Sequence, residues 1–317
     1  MENKEMSERE MWLAIPTATK AEKADLLLGL AREANNRGAG SASLELARAA
    51  LDTIEAMGEL APANEIANAH YAIAWAYKGM DKTQEAVKEM DVAIALYRES
   101  SFPFLSGVLR TRSIWCGEID DWEGNLAGHL ENLRNDEVEG DREWIAKGWF
   151  NVGVAYHALK RHQESLEAFL TSRSFFVEMK MVPEIARTDR WITESYVALG
   201  DGQRAYEHAR KAMNVAELSK NHGPLMWSEL MLGKALVTLC NFDDAEKYFK
   251  SGYERATSVD ESEINWEYIV EVEEERVKLL RMTERAQEAD EVESRIATVK
   301  ETLSPPDKSA SIQSSAV

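Results

Sequence analysis

The stretch WFNVGVAYHALKRHQESLEAF, residues 149–169, decides how this chain folds. Trp149, Val152, Gly153 and Tyr156 stand at i, i+3, i+4 and i+7, which places them on one face of a helix. A polar turn over residues 161–164 follows, and Phe169 then falls on a second helix. Gly153 lets two helix backbones approach closely. The stretch therefore predicts a helical hairpin, and a single hairpin needs neighbours to bury its apolar face.

Copies of the hairpin recur on both sides. Ile73, Ala74 and Tyr77 repeat Val152, Gly153 and Tyr156, followed by Ala86, Met90 and Ala93, with Asp81 and Gln84 expected to cap that second helix. Ile192, Thr193 and Tyr196 precede Ala205, Ala209 and Ala212; Leu232, Gly233 and Leu236 precede Ala245 and Phe249. Aligning the second helices on Ala86, Asn125, Ser165, Ala205 and Ala245 gives intervals of 39, 40, 40 and 40 residues. A third hairpin from about Pro103 to Val138 fits only by this spacing, because a face through Leu105, Val108, Trp115 and Ile119 would also carry Arg112.

The pattern in residues 149–169 resembles the tetratricopeptide repeat, W-x2-L-G-x2-Y followed by A-x3-F, with Val152 for Leu and Ser165 for Ala. The period here is longer than that family's usual 34 residues. The resemblance spans residues 19–303 and implies an all-α, TPR-like superhelical solenoid of about seven antiparallel helix pairs. Two elements frame it. A lead-in helix in residues 1–18 has a Ser7–Glu10 capping box, an apolar side at Trp12 and Leu13, and Pro16 at its end; a Thr19–Glu22 box opens the next helix. The last pair, 260–303, is expected to be an acidic cap with Glu274 and Glu293 at small-residue positions, and residues 304–317 a disordered tail.

The formal charge of −19, from 56 acidic and 37 basic residues, opposes nucleic-acid or anionic-membrane binding through the bulk surface. Residues 260–301 hold 14 acidic and six basic residues, a net of −8, so much of the excess lies late in the chain. The N-terminus is charged from its second residue, and no run approaches the roughly 18 apolar residues of a membrane span, so a cytoplasmic location is expected. Cys116 and Cys240 have no partners at metal-ligand spacing and are expected as reduced thiols in or near the core.

Catalytic signatures are absent from the sequence pattern. Gly233-Lys234 lacks the upstream Gly and following Ser or Thr of a phosphate loop. His157 and His162 are close in sequence but lack an HExxH or Cys/His cluster, and the acidic run 271–275, whose successive residues point in different directions on a helix, reads as a solvated end. No enzyme, metal or cofactor is expected.

The resemblance implies that the first helix of each pair lines a binding wall. It assigns Asn68, Tyr71, Trp75 and Lys78; Lys147, Phe150, Asn151, Val154 and His157; Arg187, Arg190, Trp191 and Glu194; and Trp227 and Lys234 to that wall. Lys147 and Asn151 are similar to part of the family's carboxylate clamp. Such a wall, less acidic than the outer surface, could take a protein or peptide segment, including an acidic one. The expectation is a monomeric, non-enzymatic scaffold or adaptor; a ligand- or peptide-responsive regulator and an acidic mimic of nucleic acid are the competing readings.

Overall fold

The computed structural model describes residues 6–100, 105–219, 222–259 and 264–303. The predicted tail at 304–317 and the start of the third hairpin at Pro103 lie outside them. The described residues form helices and turns with no strand. The chain divides into two compact units at Leu159 and Lys160. The first holds α1 (Glu8–Ala14), α2 (Lys20–Asn36), α3 (Gly40–Glu55), α4 (Ala63–Lys78), α5 (Thr83–Glu99), α6 (Leu105–Glu118), α7 (Trp122–Glu139) and α8 (Arg142–Ala158). The second holds α9 (His162–Glu178), α10 (Val182–Ala198), α11 (Gly202–Ser219), α12 (His222–Thr238), α13 (Phe242–Thr257), α14 (Trp266–Met282) and α15 (Ala286–Leu303). Within each unit the helices pair in sequence order, and the pairs stack on one another.

Two ladders of small residues explain the stacking. The fourth residue of each second helix is buried: Ser43, Ala86, Asn125, Ser165, Ala205, Ala245 and Ala289. Seven residues before each intra-pair turn stand Ala31, Ala74, Ser113, Gly153, Thr193, Gly233 and Val277, all buried. At Gly233 the approach is tight, since an added Cβ would overlap the ring of Phe249. The third pair looked irregular in sequence because its ladder is polar. Asn125 Nδ2 donates to the Ser113 carbonyl at 2.7 Å and Ser113 Oγ to the Leu109 carbonyl at 2.8 Å, so both are satisfied in the core. Arg112, on that helix, points outward to Asp91 at 2.8 Å.

The turn inside each pair carries one residue with positive φ: Gly38, Asp81, Asp120, Lys160, Gly200, Cys240 and Glu284. The following amide reaches back five residues, as in Lys82 N to Tyr77 O at 3.0 Å and Asn241 N to Leu236 O at 2.9 Å, closing a Schellman-type end. Asp81 is therefore the left-handed turn residue. Lys82 stands at the N-cap without a side-chain cap bond, and the expected Asp81–Gln84 cap is not formed. The Ser7–Glu10 and Thr19–Glu22 boxes do form.

Three further expectations change. Met11, not Trp12, turns inward against Gly29, while Trp12 and Leu13 are exposed. Cys116 is buried but Cys240 is exposed at its turn; burial pushes the Cys116 thiol up to about 11, which makes it an inert packing group. In the last pair Val277 and Ala289 hold the small positions. Glu274 and Glu293 face outward to Lys300 and Arg281, because the interval from Ala245 to Ala289 is 44 residues and shifts the register.

Candidate functional site

The repeat places equivalent residues of the first helices on the same face, so the candidate wall can be followed within each unit. In the first unit α2 and α4 border a crevice of about 560 Å³. Asn68, Tyr71 and Trp75 line it from α4, facing Asp25, Leu28 and Arg32 from α2. The α2 residues were missed in sequence although they stand at the same distances before their turn as Asn68, Tyr71 and Trp75. Tyr97 Oη donates to Asn68 Oδ1 at 2.6 Å, fixing that amide. Tyr71 meets Trp75 edge-on at 6.2 Å, and Trp75 meets the buried Trp115 edge-on at 5.0 Å, so the Trp75 ring also packs against the core. Asn35 Oδ1, at the crevice edge, is buried without a hydrogen-bond donor. Lys78 is ion-paired with Glu118 of α6 and does not join the crevice.

On α8, Lys147 reaches Glu143 at 2.5 Å and lies 4.7 Å from the Trp144 ring centroid, whose face Arg110 also covers at 3.9 Å. Phe150 is buried and belongs to the packing; Asn151, Val154 and His157 are half-buried. Lys147 and Asn151 share a face at i,i+4 spacing.

In the second unit Lys234 Nζ sits among Glu194 at 2.6 Å, Glu271 at 3.3 Å and Glu275 at 3.8 Å, joining α10, α12 and α14. Burial alone would favour the neutral amine, but Glu194, Glu275 and Glu271 outweigh it and hold the ammonium above its ordinary range. A cation so surrounded is neutralised within the protein. It is legible as a cation in sequence, whereas its three carboxylates come together only in the fold.

Arg190 differs. Its guanidinium lies 4.4 Å from the Trp227 ring centroid and 5.8 Å from that of Trp191, and it makes no hydrogen bond or ion pair with any described residue. Burial lowers its pKa from the ordinary value, against the pull of Glu271 and Glu194, and it stays a cation at neutral pH. Trp191 in turn stacks on Phe169 at 5.6 Å, and Trp227 meets Tyr268 edge-on at 5.1 Å. Arg187, Arg190 and Trp227 border a crevice of about 440 Å³ between α10, α11 and α12. Among the described residues no group of three or more His, Cys, Asp or Glu side chains could hold a metal ion, and no helix is long and apolar enough to cross a membrane.

Residues 146–172 match the family described as tetratricopeptide repeat. Comparison with curated proteins by sequence returns no match. Among solved structures, the chain is similar to aspartyl phosphate phosphatase F from Bacillus subtilis, with a TM-score of 0.59 and 13% identity over 94% of this chain and 76% of that one. It is also similar to NprR in complex with its cognate peptide NprX, with a TM-score of 0.56 and 14% identity over 87% of this chain and 78% of that one. A Rap protein complexed with competence and sporulation factor superposes with a TM-score of 0.53 at 14% identity, covering 93% and 79%. The repeat at residues 146–172 and the ladder of antiparallel pairs in each unit give the chain a tetratricopeptide-like helical repeat fold.

Proposed function

We propose that this chain is a non-enzymatic adaptor that captures a peptide or protein segment on the faces of its first helices, with residues 19–303 as the binding domain behind the lead-in segment 1–18. The observation that carries the reading is Arg190, a cation stacked on Trp227 with its hydrogen-bonding capacity turned to no described residue. Ordinary core packing does not require a guanidinium there, and planar donors beside aromatic rings are the groups that anchor peptide partners. Asn68, Tyr71 and Trp75 supply a second set of polar and aromatic contacts in the first unit. NprR with its cognate peptide supports a peptide as the class of partner. The chain acts as a cytoplasmic monomer in this account. Lys78 and Lys234 serve to hold neighbouring helices together rather than to meet a partner.

The test is affinity capture from native lysate with the wild-type protein beside a Trp75→Ala, Arg187→Ala, Arg190→Ala variant of unchanged helicity. Loss of one or more proteins only from the variant supports the reading. Identical captured sets from both proteins would overturn it.

A further inference from the structure

The crevice between α10, α11 and α12 combines two features that rarely meet without a purpose. Its walls are almost entirely aliphatic or aromatic: Pro183 and Ala186 from α10, Val215 from α11, and Pro224, Trp227 and Met231 from α12. Its volume, about 440 Å³, lies in the range of small-ligand pockets, about 300–1,000 Å³. At one side stands Arg190, whose fork of donors makes no hydrogen bond to any described residue. The nearest acidic groups do not use it: Glu194 and Glu271 are spent on Lys234, at 2.6 and 3.3 Å. Stacking on Trp227 fixes the guanidinium plane and lowers the entropy lost on forming paired hydrogen bonds. Arg187 adds a second positive charge to the same crevice.

We propose that this crevice is a binding site for a carboxylate carried on an apolar group, the apolar part lying against Ala186, Val215 and Met231 and the carboxylate paired with Arg190. The site deepens the adaptor reading, because such a group is what the end of a peptide with an apolar last residue presents; a free aliphatic acid presents the same chemistry. Lys234 takes no part. An amide or alcohol of the same shape would leave Arg190 without its charge-assisted bonds and bind at least about tenfold more weakly.

The experiment uses the full chain labelled with 5-fluorotryptophan, the Trp227 resonance being assigned from Trp227→Phe. Fluorine NMR follows titration with octanoate, octan-1-ol, N-acetylleucine and N-acetylleucinamide. The expected result is a saturable shift of the Trp227 signal with octanoate or N-acetylleucine and a response about tenfold weaker with the alcohol or amide. Response to octanoate alone identifies a free aliphatic acid as the source, and response to N-acetylleucine alone a peptide end; both support the site. Arg190→Gln is expected to abolish the preference for the carboxylate while leaving helicity unchanged, and Ala186→Leu to fill the crevice and weaken all four ligands. Equal responses to octanoate and octan-1-ol, a preference that survives Arg190→Gln, or no saturable shift with any of the four would overturn the proposal. Binding of a carboxylate with no change in lysate capture would leave this site standing while refuting the adaptor reading. Selective capture without carboxylate binding would do the reverse.

Discussion

Replacement of Asp189 by Asn should unlock three helices at once. Asp189 is buried on α10, where Arg173 of α9 pairs with both its oxygens at 2.8 and 3.1 Å and His208 Nδ1 of α11 lies 2.7 Å from Oδ1. An amide of the same size keeps the packing but removes the charge and presents donors towards donors. Removing one partner of a buried pair costs about 3–5 kcal/mol, and the partial exposure of Arg173 places this case near the lower end, about 3 kcal/mol. With a urea slope of about 3 kcal/mol per molar, the unfolding midpoint should fall by about 1 M. The assay is urea unfolding followed by circular dichroism, with Asp244→Asn as control, since that carboxylate pairs only at the surface and should leave the midpoint nearly unchanged. Replacing Asp189 and Arg173 together by Leu should cost less than Asp189→Leu alone, because no buried charge is then stranded. A loss below about 1 kcal/mol for Asp189→Asn, or a double variant as unstable as the sum of the singles, would refute the view that this pair locks the second unit.

Other perturbations read different parts of the fold. Gly233→Ala should destabilise by about 1–3 kcal/mol in the same assay, because the new methyl meets the Phe249 ring with no room to move aside. Cys240→Gly should stabilise by about 0.5–1 kcal/mol, since Cys240 holds a φ of 58° that a side chain resists and glycine does not; a loss of stability would contradict the turn geometry. His129 is buried, and burial first and Arg110 second lower its pKa from 6.5 to about 4. The unfolded chain therefore binds the extra proton between these values, and stability present above pH 6.5 should be lost as pH falls towards 4, by at most about 1.4 kcal/mol per unit. His129→Gln should flatten that part of the pH–stability curve, and an unchanged slope would show that His129 does not set it.

The architecture was legible because the feature that builds it is local. Ala86, Asn125, Ser165, Ala205 and Ala245 must be small or internally hydrogen-bonded wherever helix pairs dock, so the 40-residue period survives in the sequence. The turns were less legible. A left-handed residue is easy to see when it is Gly200, but Lys160, Cys240 and Glu284 carry no mark of that conformation, and Asp81 imitates a cap. One interval of 44 residues was enough to move the last pair out of register and to put Glu274 in the place of Val277. Within the proposed wall, Asn68, Tyr71 and Trp75 border one crevice and Arg187, Arg190 and Trp227 another, as their repeat positions suggested, whereas the state of each charge was not legible. Lys234 and Arg190 are both cations on first helices. Only the packing of α14 against α12 brings Glu271 and Glu275 to the lysine, leaving the arginine to the crevice.

The most direct test of the central claim is site-specific photo-crosslinking, with a photoreactive phenylalanine analogue placed in turn at Tyr71, Arg187, Val138 and Leu218. The first two positions border the candidate crevices, and the last two are 88% and 85% exposed elsewhere on the surface. The account predicts a discrete covalent adduct from Tyr71 or Arg187, that from Arg187 being lost when Arg190 is also replaced, and none from Val138 or Leu218. Adducts that form only from Val138 and Leu218, or that ignore the Arg190 substitution at Arg187, would contradict it.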